Sequence, residues 1–149
     1  MTDGFLLDTN VISAAPPDRR PIPDPAKTAA RAWIVANQSR LFLPVTAIAE
    51  LAAGIGEREA AGAIRHATLL AEWLHAVLTL YPDRILPLDP EAALQARHLS
   101  RTARQSGTTP GFADLTVACI AKARGLAVAT RNIRDFTPMG IEAVDPFAI

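Results

Sequence analysis

The sequence predicts an α/β fold of three layers, with a central parallel sheet between helices. Three observations lead there. Short apolar runs at Phe5–Leu7, Leu41–Leu43, Ile85–Leu88 and Leu126–Thr130 are too brief for helices and suit strands buried on both faces. Helix-length stretches separate these runs, the alternation that builds parallel sheets. Half of the residues are hydrophobic and 20% are charged, a composition that supports one packed core.

A chain of 149 residues fits a single domain, 1–149. One cysteine excludes an internal disulfide and fits a reducing compartment. The N-terminus has no basic segment before an apolar one, and no apolar run is long enough for a membrane span. A cytoplasmic protein is expected, without membrane contact. The formal net charge is zero, which argues against binding nucleic acid by bulk charge and leaves room only for local basic patches.

The first strand, Phe5–Leu7, runs directly into Asp8, Thr9 and Asn10. The segment from Pro16 to Pro25 holds too many prolines for regular structure, and offers Arg19 and Arg20 as rim-loop contacts for a polyanion. Asp24 and Pro25 form a helix start, cap and first position, for a helix from Ala26 to Asn37. Pro44 ends the second strand. Thr46 is placed to cap a short helix, Ala47 to Ala53, closed by Gly54 and Gly56.

Arg58 to Tyr81 reads as one long helix, because Ala60, Ile64, Ala67, Ala71, Leu74, Leu78 and Tyr81 form a single apolar stripe. That stripe suits core packing or a partner helix in a dimer. After the third strand, Asp89 and Pro90 start a helix that runs to about Ser106 and stops at Gly107. Arg97, Arg101 and Arg104 share one face of it, either a solvated face or an edge that contacts phosphates. Thr109-Pro110-Gly111 opens a buried helix, Phe112 to Arg124, with Gly125 as its C-cap. A fourth strand, Leu126–Thr130, leads into the loop Arg131–Phe136 with room for one helical turn. Ile141–Val144 is a short edge strand.

The acids are the chemical signal. Asp8 is the only charged residue between Asp3 and Asp18, Glu50 between Arg40 and Glu57, and Asp114 between Arg104 and Lys122. Each stands in an apolar element without a local partner, and a charge so placed needs neutralising from elsewhere in the fold. The economical solution brings all three to one divalent cation above the strand ends, where ligands of open α/β sheets bind. All-oxygen ligation suits Mg²⁺ or Mn²⁺. Asn132 and Asp135 are both available as a fourth group. Thr9 and Thr130 are placed to orient the carboxylates by hydrogen bonds, with Asn10 beside them. His66, His75 and His98 read as surface or packing residues and Cys119 as core. In the simpler alternative, Asp8 and Asp114 cap backbone amides and Glu50 reaches solvent.

Four stretches in order resemble the PIN-domain family, and within it the VapC-type toxins of bacterial type II toxin–antitoxin pairs. They are Leu6 to Ser13, Leu43 to Leu51, Ala113 to Ala121 and Val128 to Phe136, and together they cover nearly the whole chain. The resemblance implies a PIN-like three-layer fold and metal-dependent endonucleolytic cleavage of RNA. It implies a small VapB-like antitoxin that wraps the toxin and occludes its site, and a homodimer or toxin–antitoxin hetero-oligomer. Asp8, Glu50 and Asp114 match the three family acids. The fourth family position, commonly Asp, falls on Asn132, so Asp135 is the candidate to supply the missing carboxylate.

The mechanism that follows has Asp8 and Asp114 on the metal and Glu50 on the attacking water. Hydrolysis independent of the RNA 2′-hydroxyl would leave a 5′-phosphate and a 3′-hydroxyl. Arg19, Arg20, Arg97, Arg101 and Arg104 are the candidate backbone contacts. With so few aromatics, a stacking platform for bases is not expected. Two rivals stand beside this reading. One is a non-catalytic module that binds an antitoxin or RNA. The other is a phosphatase of the haloacid dehalogenase type, which needs a second Asp where this chain has Asn10.

Overall fold

The structure is a computed structural model that describes residues 3–17 and 20–148. Five strands form one parallel sheet: β1 (Phe5–Leu7), β2 (Leu41–Pro44), β3 (Ile85–Leu86), β4 (Ala127–Ala129) and β5 (Ala143–Val144). Their order is β3-β2-β1-β4-β5. In register, Phe5 pairs with Leu41 on one side of β1 and with Ala127 on the other. The chain leaves β1 toward β2 and returns to β4 on the opposite flank. The crevice between the carboxyl ends of β1 and β4 is therefore the switch point of the sheet.

Alternate side chains of β1 enter opposite layers. Leu6 joins Val128 in a core built from α5 (Pro90–Gln105) and α6 (Phe112–Arg124). Leu7 joins Leu41, Leu43 and Ala129 in a second core. That core is covered by α1 (Thr9–Ile12), α2 (Pro25–Asn37) and α3 (Val45–Ala60). Helices on both faces explain why the strands carry apolar runs and not alternation. The expected three-layer α/β architecture is the observed one.

Most helix ends follow their caps. Asp24 accepts from the Ala26 amide at 2.9 Å and Asp89 from the Ala92 amide at 2.9 Å. Gly125 closes α6 in the left-handed region at φ 65°. Two expectations fail. The helix expected to end at Gly54 and Gly56 runs through both glycines to Ala60, and Thr46 lies inside its first turn, with Pro44 at the cap position. The helix expected over Arg58–Tyr81 is two: α3 ends, and α4 (Ile64–Leu80) begins after a break in which Gly62 has φ 85°.

The physical reason is burial. Ile48, Leu51 and Ile55 carry the α3 stripe across Gly54 into contact with Ala67 and Leu74 of α4. A helical glycine costs only about 1 kcal/mol, which such packing outweighs. The one-turn helix α1 was not expected either. The last helical turn, α7 (Ile133–Phe136), falls where one was allowed for. No helix among the described residues is long and apolar enough to cross a membrane.

Candidate active site

Asp8 stands at the carboxyl end of the central strand and is only 7% exposed. Its Oδ1 accepts from the Thr9 amide at 2.9 Å, which makes it the N-cap of α1. Its Oδ2 accepts from the Thr130 hydroxyl at 2.8 Å and from Asn10 Nδ2 at 3.4 Å. Thr130 follows β4 directly, across the switch point, and its oxygen in turn accepts from the Asn132 amide at 3.0 Å. Asn10 Oδ1 accepts from the Arg131 amide at 3.1 Å. The loop after β4 is thus tied to the start of α1 by two side chains, Thr130 and Asn10. The orienting roles expected of both fit these bonds. Thr9 reaches Asp8 through its backbone.

Asp114 lies in the first turn of α6. Partial burial lifts its carboxyl from the usual value of 3.8 to about 6, and the charges of Asp8, Asp135 and Glu50 push in the same direction. Burial also raises Asp8, against the lowering effect of its bonds to Thr130 and Thr9, with Asp135 adding to the rise. Asp114 thus feels three other carboxylates from elsewhere in the fold, and Asp8 feels Asp135. Among the described residues none of them has an ion-pair partner. Capping accounts for one oxygen of Asp8 and for nothing of this mutual repulsion.

The PIN domain family matches residues 5–139. The chain is a PIN-domain protein. It is 34% identical to "VapC ribonuclease Y4jK" of Sinorhizobium fredii over 148 residues, which cover 96% of this chain and 97% of that protein. It is 31% identical to "Toxin FitB" of Neisseria gonorrhoeae, over 96% of this chain and 98% of the relative. The crystal structure of FitAcB from Neisseria gonorrhoeae matches its fold with a TM-score of 0.79 at 30% identity, covering 97% of this chain and 99% of that one. The family read from the four sequence stretches is the family found.

Three of the acids of this PIN domain line one or other of two clefts. A cleft of about 1080 Å³ is lined by Thr9 and Glu50 and also by Arg20, Arg31 and Arg58. A smaller one of about 110 Å³ is lined by Asp114 and Asp135 with Arg134. Glu50 itself is exposed, on α3. As posed, no three acids among the described residues form a closed ligand cage.

The donor set nevertheless suits a hydrated, hard cation. It is all oxygen, and close to these acids in sequence stand the buried hydroxyls of Thr9 and Thr46, which have no hydrogen-bond partner in the structure. Thr46 is one helical turn before Glu50 on α3. Buried hydroxyls without partners are uncommon, and water held by a cation would satisfy them.

Of the sequence candidates, the fold gathers Asp8, Glu50, Asp114 and Asp135. Asn132 enters through its backbone amide, and the charge that acts on Asp8 and Asp114 from this loop is that of Asp135. Arg20 lies on the large cleft, within 3.9 Å of Asp24. Arg19 lies outside the described residues. Arg97 and Arg101 are exposed on α5, and Arg104 donates to the Thr109 hydroxyl at 3.0 Å. His66, His75 and His98 are exposed, and Cys119 is buried. Arg31, Arg58 and Arg134 were not anticipated. Each lies on an element of ordinary composition, so nothing local marks it, and only the tertiary fold brings it to a cleft.

Proposed function

We propose that this PIN domain is a Mg²⁺- or Mn²⁺-dependent endoribonuclease, acting as the toxin of a type II toxin–antitoxin pair. The observation that carries the proposal is that Asp8 and Asp114 are both raised, with Asp135 adding to each and Glu50 to Asp114, and that among the described residues no basic group pairs with these acids. Like charges gathered at a switch point destabilise the fold on their own account, and a divalent cation removes that cost. Asp8, Asp114 and Asp135 are the residues that would hold it. When bound, the cation supplies Lewis acidity and makes hydroxide accessible near neutral pH.

The chain's own residues do the rest. Thr130 and Asn10 fix the rotamer of Asp8, so that its carboxylate faces the crevice without reorganising. Glu50, exposed on the large cleft, is free to orient a water and accept its proton. Arg31 and Arg58 line the same cleft and offer positive charge to an RNA backbone. In-line attack by that water on a phosphodiester breaks the P–O3′ bond, leaving a 5′-phosphate and a 3′-hydroxyl. A VapB-like antitoxin is the expected partner, occluding this site. Confinement to the cytoplasm is part of the same reading.

The test is cleavage of total RNA and tRNA by purified, antitoxin-free protein in Mg²⁺, Mn²⁺ or EDTA, with product ends mapped. Discrete metal-dependent cuts, lost in Asp8→Asn and Asp114→Asn, are expected. Products ending in 2′,3′-cyclic phosphate, or cleavage that survives EDTA, would overturn the mechanism. A folded, metal-binding protein that cuts nothing would overturn the activity.

A further inference from the structure

Arg97, Arg101 and Arg104 lie on one side of α5, opposite Ala92, Leu99 and Ala103, which face the core. All three arginines are exposed. They rise along the helix in steps of about 6 and 4.5 Å, which makes a stripe about 10 Å long. Glu91, in the first turn, is the only acid of α5. Among the described residues none of the three arginines has an ion-pair partner. Like charges three and four residues apart repel along a helix. Arg104, in the last turn, is favoured by the helix dipole, but Arg97 and Arg101 stand too far from the C-terminus to gain from it. In a chain with equal numbers of acidic and basic residues, this face is a local concentration of charge.

One end of the stripe is fixed at the candidate site. Arg104 donates to the Thr109 hydroxyl at 3.0 Å, and Thr109 lines the small cleft together with Asp114, Asp135 and Arg134. The turn between α5 and α6 therefore joins the arginines to the acids. The other end of α5 lies at the far end of α6, where Arg124 reaches Asp89 at 3.5 Å. The stripe thus leads from the small cleft along the outside of α5, away from the acids. Leu94 is the only large apolar residue exposed on α5, so the face lacks the contiguous apolar patch of a protein-docking surface. A planar guanidinium forks onto phosphate oxygens, and a line of three suits a strand that carries one charge per nucleotide.

We infer that Arg97, Arg101 and Arg104 form a track for the RNA strand, contacting the phosphates of nucleotides on one side of the cut. The inference rests on the ribonuclease reading above and adds to it the path of the substrate outside the clefts. Of the two roles open to this face from the sequence, it selects phosphate contact.

The experiment uses a single-stranded RNA that carries a cut site mapped with the wild-type protein. Binding is read by fluorescence polarisation across a salt series in the Asp114→Asn background, and cleavage by single-turnover kinetics with Asp114 intact. The slope of log affinity against log salt changes by about 0.7 for each phosphate contact on a single strand. The triple variant Arg97→Gln, Arg101→Gln, Arg104→Gln is expected to lose about 2 from that slope, and about 10- to 100-fold in affinity at about 0.1 M salt. Arg65→Gln, at an exposed arginine of α4, should leave both unchanged. Trimming the RNA from one end only should erase the difference between the triple variant and its parent, because the phosphates met by the track are then gone. A triple variant with the parent's slope and cleavage rate would overturn the inference and leave the ribonuclease reading standing. A deficit that survives trimming from either end would overturn it too, since the arginines would then act on the site and not on RNA beyond it. Loss of binding to a VapB-like antitoxin with the RNA slope unchanged would assign the face to a protein contact and equally overturn it. If the wild-type protein cuts no RNA, the parent reading fails and this one falls with it.

Discussion

Thr130 and Asp8 are 122 residues apart in sequence and 2.8 Å apart in space, hydroxyl to Oδ2. Thr130 is fully buried, and its oxygen also accepts from the Asn132 amide, so its proton is committed to Asp8. This bond lowers the cost of keeping Asp8 charged at a buried strand end. Thr130→Val keeps the shape and removes the donor. Metal affinity, measured by calorimetric titration with Mn²⁺, is expected to fall about 10- to 100-fold. Thermal stability should fall by an amount equivalent to about 1–3 kcal/mol, since a buried carboxylate oxygen loses its main partner. Thr130→Ser should retain both.

Asp114 makes the metal-free protein pH-sensitive in a defined direction. Its carboxyl ionises at about 6 in the fold against 3.8 as a free side chain. A raised acid favours the folded state while protonated, so that contribution is complete below 3.8 and is lost as pH rises through about 6. In EDTA, the wild-type melting temperature should therefore climb as pH falls from 7.5 to about 5, relative to Asp114→Asn. At pH 7.5 the variant should be the more stable of the two, because one of four repelling charges is gone. Mn²⁺ should raise wild-type stability at pH 7.5 and do little for the variant. Differential scanning fluorimetry across that pH range reads all three effects, and identical curves for the two proteins would contradict them.

Gly62 separates what the sequence made legible from what it did not. Strand positions followed from apolar runs, and the starts of α2 and α5 from Asp24 and Asp89, because those signals are local and strong. The α3–α4 boundary was not legible, because three glycines compete within nine residues and only tertiary packing selects among them. Gly54 and Gly56 sit in helix, while Gly62 alone takes φ 85°. Gly62→Ala is thus expected to cost about 1–2 kcal/mol in denaturant unfolding, although nothing crowds a Cβ there. Gly56→Ala, helical and equally uncrowded, should instead stabilise by about 0.4–1 kcal/mol.

The candidate site was legible to the extent that its acids stood alone. Asp8, Glu50 and Asp114 are conspicuous because each is an uncompensated charge in an apolar element. Asn132 and Asp135 are not separable that way: both lie in one polar loop, and spacing alone permits either. We propose Asp135 for that position, because the turn of helix α7 sets it on the same small cleft as Asp114, while the bond of Asn132 to Thr130 is made by its backbone amide.

If Asp135 holds the metal as proposed, Asp135→Asn is expected to lower metal affinity and cleavage by about 10- to 100-fold. Asn132→Ala should change either by less than about 5-fold, since its bond to Thr130 uses the backbone and survives the substitution. Both constants come from one Mn²⁺ titration and one single-turnover series. The reverse ranking would mean that the Asn132 amide oxygen is the fourth ligand and that Asp135 acts only through its charge.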